Sequence, residues 1–358
     1  MLKKANILCV SDATDLIIYK LFSELSNRGY SSFVTYTTSE EKQNLEKENV
    51  IAIAFPKLSS KVSLKFILQL KKIIKEKEIE LIYARTSSGL SNALLATIGT
   101  SVKVVAYRGT QAKIRRTDPT YYLGILNPGV NHVVCATRDI KQKLLKFYKE
   151  EELTYNPKPF KASWIKDAIQ HSKKIDSIPD DAFIVICIAQ TKNRPHKGLS
   201  TLIQGFHLIN NSKIHLIHIG DYEESDKELA KSGNNYKNIH MLGSKNDAIH
   251  FLSHCHVCIC PSTRDASPRS LREAMACGLA CIVTDIPGAR DLVVHQKTGL
   301  IIPPNSPASI ANAIEQMAHK PEKTKEFGKN GKEFLRSEFS WEEYVTKFDQ
   351  LFRNLLSN

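Results

Sequence analysis

No apolar run in this 358-residue sequence reaches the ~18–20 residues that a bilayer-spanning helix needs. The first residues, MLKKANILCVSD, carry two lysines but too short an apolar stretch for a secretory leader, and read instead as a first β-strand. Low-complexity tracts and short-period repeats are also missing, which excludes solenoids and disordered tails. Acidic residues are in deficit, with 37 Asp+Glu against 50 Lys+Arg and a net charge of +13. The deficit is uneven: residues 1–160 hold 25 basic and 15 acidic side chains. A basic N-terminal half calls for an anionic partner. Aromatic stacking platforms and recognised nucleic-acid motifs are absent, so a nucleic-acid partner is not expected, and a non-enzymatic basic nucleic-acid-binding protein is the weakest rival reading. A cytoplasmic protein is the expectation.

What is present is alternation. Short apolar, β-leaning runs recur at ANILCVS, SFVTY, VIAIA, LIYAR, VKVVAY and HVVCAT, with helical spacing between them. Gly29 closes the first helix. The pattern breaks at about 155–181, where YNPKPFKASW and DSIPDD predict a linker. It resumes with AFIVICIA, KIHLIHIG, IHMLG, VCIC and ACIVTD, with helices predicted at 199–209, 246–253 and 269–277. Alternating strands and helices predict α/β architecture with parallel sheets. The expectation is two Rossmann-like domains, 1–160 and 161–340, facing across a cleft, with 341–358 packing back onto the first. Phe348, Leu351, Phe352 and Leu355 give that last segment an apolar stripe. Most of the eight cysteines sit in apolar runs, as buried free thiols do. Cys255 and Cys258 have CxxC spacing, but on a strand-like segment, so no metal is expected there.

The most informative stretch is PSTRDASPRSLREAMACGLACIVTD (261–285). It reads as a loop, a helix starting near Pro268, and a strand. Free N–H groups at a helix start attract phosphate. Asp265 and Glu273 flank that start, and carboxylates accept from sugar hydroxyls. A phosphate flanked by hydroxyl-rich groups describes a nucleotide sugar.

This segment resembles the signature of retaining glycosyltransferases of family four, with the GT-B fold. The acid-x7-acid pattern stands after Pro261-Ser262, followed by Glu273-Ala274-Met275-Ala276 and Gly278. NRPHKGLSTLIQGF (193–206) resembles the family's phosphate-binding segment. LGSKNDAIHFLSHCHVCICPS and IPGARDLVVHQKTGLIIPP resemble the stretches on either side, and LSNRGY resembles an N-terminal family motif. The resemblance implies that Asp265 lies by the donor sugar, although the family usually has Glu there, and that Glu273 binds the ribose. It implies that Lys197 pairs with the diphosphate, with Lys192 or Arg194 as the second basic contact. Ser270 and Leu271 would offer backbone N–H groups, and Gly243 would let the backbone approach the nucleobase. Two departures stand out: SDATDLI (11–17) has no Gly, and Arg108 stands where many members carry a catalytic His.

The resulting expectation is a retaining transfer of sugar from a nucleotide diphosphate sugar to a hydroxyl of a glycan or lipid-linked acceptor, as in polysaccharide or lipopolysaccharide synthesis. No DxD-like metal motif stands in a suitable loop, so neither metal nor cofactor is expected. The acceptor is expected on the basic N-terminal domain, 1–160, and the nucleotide sugar on 161–340, with Arg85, Arg115 and Arg116 as the candidate contacts to an anionic acceptor. The basic amphipathic segment 61–80 allows peripheral association with the inner membrane surface. A nucleotide-sugar epimerase or hydrolase of the same fold is the enzymatic alternative.

Overall fold

The structure, a computed structural model, describes residues 4–11, 16–48, 50–58, 60–110, 112–160, 163–265 and 267–357. The chain forms two compact units: Met1–Lys158 with Glu342–Asn358, and Pro159–Trp341.

The first unit is built on seven strands: β1 (Ala5–Val10), β2 (Tyr30–Tyr36), β3 (Ile51–Ala54), β4 (Leu81–Ala84), β5 (Lys103–Arg108), β6 (His132–Cys135) and β7 (Leu153–Tyr155). They pair in the order β3-β2-β1-β4-β5-β6-β7, all parallel. Central strands bury both faces, which is why ILCV in β1, LIYA in β4 and VVC in β6 read as apolar runs. The second unit holds β8 (Phe183–Ile188), β9 (Ile214–Ile219), β10 (Ile239–Met241), β11 (Val257–Cys260), β12 (Ala280–Thr284) and β13 (Gly299–Ile302). Their order is β10-β9-β8-β11-β12-β13, again all parallel. The strand order reverses at β1/β4 and at β8/β11. Helices diverge to opposite faces at such a point and leave a crevice at the strands' carboxyl ends. Each unit is thus a doubly wound Rossmann-like α/β layer.

The helix Trp341–Ser357 belongs to the first unit. Its Phe348 ring lies 5.2 Å from that of Tyr83 on β4, and Phe352 lies 6.3 Å from Tyr30 on β2. Tyr30 donates its hydroxyl hydrogen to Asp349 at 2.9 Å, and Asn156 Nδ2 donates to the Tyr344 carbonyl at 3.0 Å.

Three local features differ from the sequence pattern or add to it. Residues 246–253 form 3-10 turns (Ala248–His254), not an α-helix; only Phe251 and Leu252 are buried there, too few for an amphipathic face. The expected linker at 155–181 contains the division between the two units, at Lys158/Pro159, and also carries a helix, Ser163–Gln170. The helix Ser39–Lys47 escapes apolar periodicity because its buried residues are Glu41 and Leu45 alone. It is held instead by a capping box between Thr38 and Glu41.

All eight cysteines are free thiols. Cys255 precedes β11, so strand alternation begins after it, and Cys255, Cys258 and Cys260 contribute to one core. Burial pushes the Cys258 and Cys281 thiols up, which keeps them protonated. Among the described residues, no helix is long and apolar enough to cross a membrane.

Candidate active site

At the β8/β11 switch point of the second unit lies a cavity of about 520 Å³. Three segments build it. After β8, the loop 189–198 ends in a 3-10 turn, Pro195–Lys197. After β11, the loop carries Pro261, Ser262 and Asp265. The helix Arg269–Cys277 opens behind Pro268 and aims its first N–H groups at the cavity, where they favour an anion.

The loops are pinned to each other by backbone. Thr263 N donates to the His196 carbonyl at 2.8 Å. Gly198 sits at φ +76°, and a Cβ there would lie 2.2 Å from the Pro261 carbonyl oxygen. Only glycine satisfies both the left-handed backbone and that approach. Gly198→Ala should therefore lower stability by about 1–3 kcal/mol through strain and overlap. It should also displace Lys197; thermal unfolding with nucleoside diphosphate titration checks both.

Lys197 Nζ lies 2.6 Å from Asp265 Oδ2, with the two side chains 21% and 13% exposed. The other Asp265 oxygen accepts from Ser267 N at 3.1 Å. Eight residues on, Glu273 is 10% exposed and accepts from Arg269 Nε at 2.7 Å. Burial raises the Glu273 carboxyl, and Arg269 and Arg272 pull it partly back. His196 is held below the usual imidazole range by burial, then by Arg264, Lys197 and Arg194.

Arg194, Lys197, Asp265, Ser270 and Glu273 all line the cavity. Lys192 does not: it is exposed, with its backbone N bonded to the Asp221 carbonyl. Leu271 is wholly buried, so only its backbone is available to a ligand. Gly243 has the left-handed φ of +68° and open space around it but is not part of the lining; Lys245 and Asn246 are. Sequence reasoning also missed Gln190 and Asp167. Gln190 lines the cavity while bonding Ser244 and Asp221, and no short motif marks such a residue.

In the first unit Arg108 and Arg116 line different pockets. Arg108, at the end of β5, lines a separate pocket. Arg85 follows β4, 3.5 Å from Ser11 Oγ and over the Tyr107 ring. Arg116 donates to the Lys146 carbonyl and stacks on Phe147, and Arg115 is exposed on the same loop. The glycine-free turn after β1 falls on residues 12–15, outside the described residues.

Residues 168–334 match the family model for glycosyl transferases group 1, and residues 6–119 match that for glycosyl transferase 4-like proteins. The chain is 28% identical over 169 residues to an uncharacterized glycosyltransferase of Methanocaldococcus jannaschii, across 45% of this chain and 43% of that protein. It is 23% identical over 269 residues to N-acetyl-alpha-D-glucosaminyl L-malate synthase of Bacillus anthracis, across 72% and 70% of the two. Identity to the capsular polysaccharide biosynthesis glycosyltransferase CapM of Staphylococcus aureus is 26% over 189 residues, across 49% and 48%. The matches thus span about half the length of the first and third of these relatives. Among solved structures, a glycosyltransferase from Rickettsia africae superposes with a TM-score of 0.83 at 19% identity, covering 99% of this chain and 100% of that one. Anabaena HepE in complex with UDP gives 0.80 at 17% identity, covering 98% and 100%. Each unit of this chain therefore matches a glycosyltransferase family model, and the whole has the GT-B glycosyltransferase fold.

Proposed function

We propose that this protein is a retaining, metal-independent glycosyltransferase that moves a sugar from a nucleotide diphosphate sugar to a hydroxyl of a glycan or lipid-linked acceptor. The observation that carries the reading is the convergence of Lys197, Arg194, Asp265, Glu273 and a helix N-terminus on one cavity. A leaving diphosphate develops negative charge, and preorganised cations and N–H groups stabilise it there. In the ligand-free site Lys197 is bonded to Asp265. Diphosphate binding would draw the ammonium away and release the Asp265 carboxylate to the donor sugar. Glu273 would accept from the ribose hydroxyls. Relatives named for capsular polysaccharide synthesis and for transfer onto a diphospho-undecaprenol acceptor support a cell-surface glycan product.

Peripheral membrane association is part of the proposal. The helix Leu64–Glu76 buries Phe66, Ile67, Leu70, Ile73 and Ile74 against its own sheet. Leu64 and Leu68 remain exposed on it, beside Lys65, Lys72 and Lys75. That outer face suits anionic lipid.

Calorimetry with UDP, GDP and ADP tests the donor site, and UDP is the natural first probe given the HepE complex. A folded protein blind to all three would sink the reading. Glu273→Gln should weaken nucleotide binding roughly tenfold or more, the worth of a charged hydrogen bond. The raised Glu273 carboxyl adds a pH signature. It takes up its proton at higher pH than an ordinary glutamate and then loses the charge that strengthens its hydrogen bonds. Affinity should therefore fall on acidification sooner than for an unshifted carboxylate, and the Gln variant should lack that component. Titrations across pH 4–8, about the carboxylate range and above, would read it.

A further inference from the structure

The pocket at the end of β5 is chemically divided. Its volume is about 360 Å³, within the range of small-ligand sites. One wall is apolar: Ile140 and Leu144, both buried, with Ile114 and Phe147 half-buried beside them. The other is cationic: Arg108, Lys113 and Lys146, together with Lys143, which is paired with Asp139. No carboxylate lines it among the described residues.

Arg108 is the unusual member. It is half-buried, and burial lowers its pKa. Its Nη2 donates to the Ala112 carbonyl at 2.8 Å, and among the described residues no carboxylate pairs with it, nor with Lys113 or Lys146. A desolvated guanidinium without an anion is costly, and a phosphate accepting two parallel N–H bonds is its natural complement. The pocket also lies beyond the carboxyl ends of β5 and β6, where parallel sheets collect ligands.

We propose that this pocket binds the phosphate of an amphiphilic acceptor, a phosphate ester of a long-chain alcohol. Arg108 grips the phosphate, Lys113 and Lys146 flank it, and the first carbons of the chain lie on Ile114, Leu144 and Phe147. A sugar phosphate without a chain would leave the apolar wall wet, and an uncharged lipid would leave Arg108 unpaired. The proposal rests on the reading that the first unit receives the acceptor, and it makes that acceptor lipid-linked.

Calorimetry on the full chain with geranyl phosphate, geraniol and inorganic phosphate tests it, with UDP titrated separately. Geranyl phosphate should bind at least about tenfold more tightly than either fragment, because charge and chain are recognised together. Arg108→Gln should weaken it about tenfold, and Arg108→Lys should retain part of the affinity. Ile114→Ser should bring geranyl phosphate towards the affinity of inorganic phosphate. Circular dichroism and wild-type hydrogen-exchange protection of the β5 and β6 amides would establish that the first unit of each variant is folded. The proposal is overturned if geranyl phosphate fails to bind a protein that binds UDP. It is equally overturned if inorganic phosphate or geraniol binds as tightly, or if folded Arg108→Gln binds geranyl phosphate like wild type. Loss of UDP binding by the wild-type chain would instead strike the donor reading.

Discussion

Lys197→Ala should lower turnover about 10²–10³-fold, the usual cost of removing one preorganised group that stabilises charge developing in a transition state. Geometry sets that expectation. Lys197 ends the 3-10 turn behind β8, and Gly198 holds the turn against Pro261. Its ammonium is consequently fixed at the cavity, 2.6 Å from Asp265. Without it, the diphosphate would meet two carboxylates, Asp265 and Glu273, with Arg194 as the remaining lining cation after β8. Affinity for the intact donor should fall by less than turnover, because the leaving diphosphate gains charge on the way to the transition state, whereas UDP already carries that charge and should lose more affinity than the donor does. Lys197→Arg should recover part of the rate, since it restores the charge with different reach. Steady-state kinetics beside UDP titration separates the two effects. Wild-type turnover in a folded Lys197→Ala protein would remove Lys197 from the mechanism.

Phe348→Ala should destabilise the first unit by about 3–5 kcal/mol, the range for deleting a buried aromatic ring. Phe348 is 1% exposed. Its ring meets Tyr83 and Tyr344 at 5.2 Å and Phe352 at 5.7 Å, all in edge-to-face contact. The alanine variant would open a cavity beside Tyr83, a fully buried residue of a central strand. Because the two units need not unfold together, a single melting temperature is a poor measure. Hydrogen exchange resolves it: amides of β4 and β1 should exchange faster, while those of β8, β11 and β12 keep their protection. Equal acceleration in both units, or none, would contradict the assignment of this helix to the first unit's core.

Several features were legible without coordinates because they are periodic or local. Strands buried on both faces must be apolar throughout, so IVICI and CIVT announce themselves. Helices with an apolar stripe do so too, which is why Phe348, Leu351 and Phe352 could be read as an inward face. The helix Ser39–Lys47 lacked such a stripe and went unread, and three-residue β7 is too short to show a period. The directions of the first-unit arginines were not legible for a different reason. Arg85 follows β4 and Arg108 ends β5, but Arg85 turns towards Ser11 and Tyr107 whereas Arg108 turns into its own pocket. A strand's end is visible in sequence; the direction of the side chain beyond it depends on the loops that fold over it.

The sequence by itself determined the two parallel α/β layers, because short apolar strands alternating with amphipathic helices leave the pattern of a sheet buried on both faces. It also determined the close spacing of Asp265 and Glu273, since a loop and one turn of helix hold them in order. Tertiary structure alone decided that Lys197 meets Asp265 across 68 residues, that Arg194 and not Lys192 borders the cavity, and that Arg108 stands without a carboxylate. The physical reason is common to all three. Each depends on how two loops from different strands pack at the end of a sheet, and side-chain contacts there carry no period along the chain.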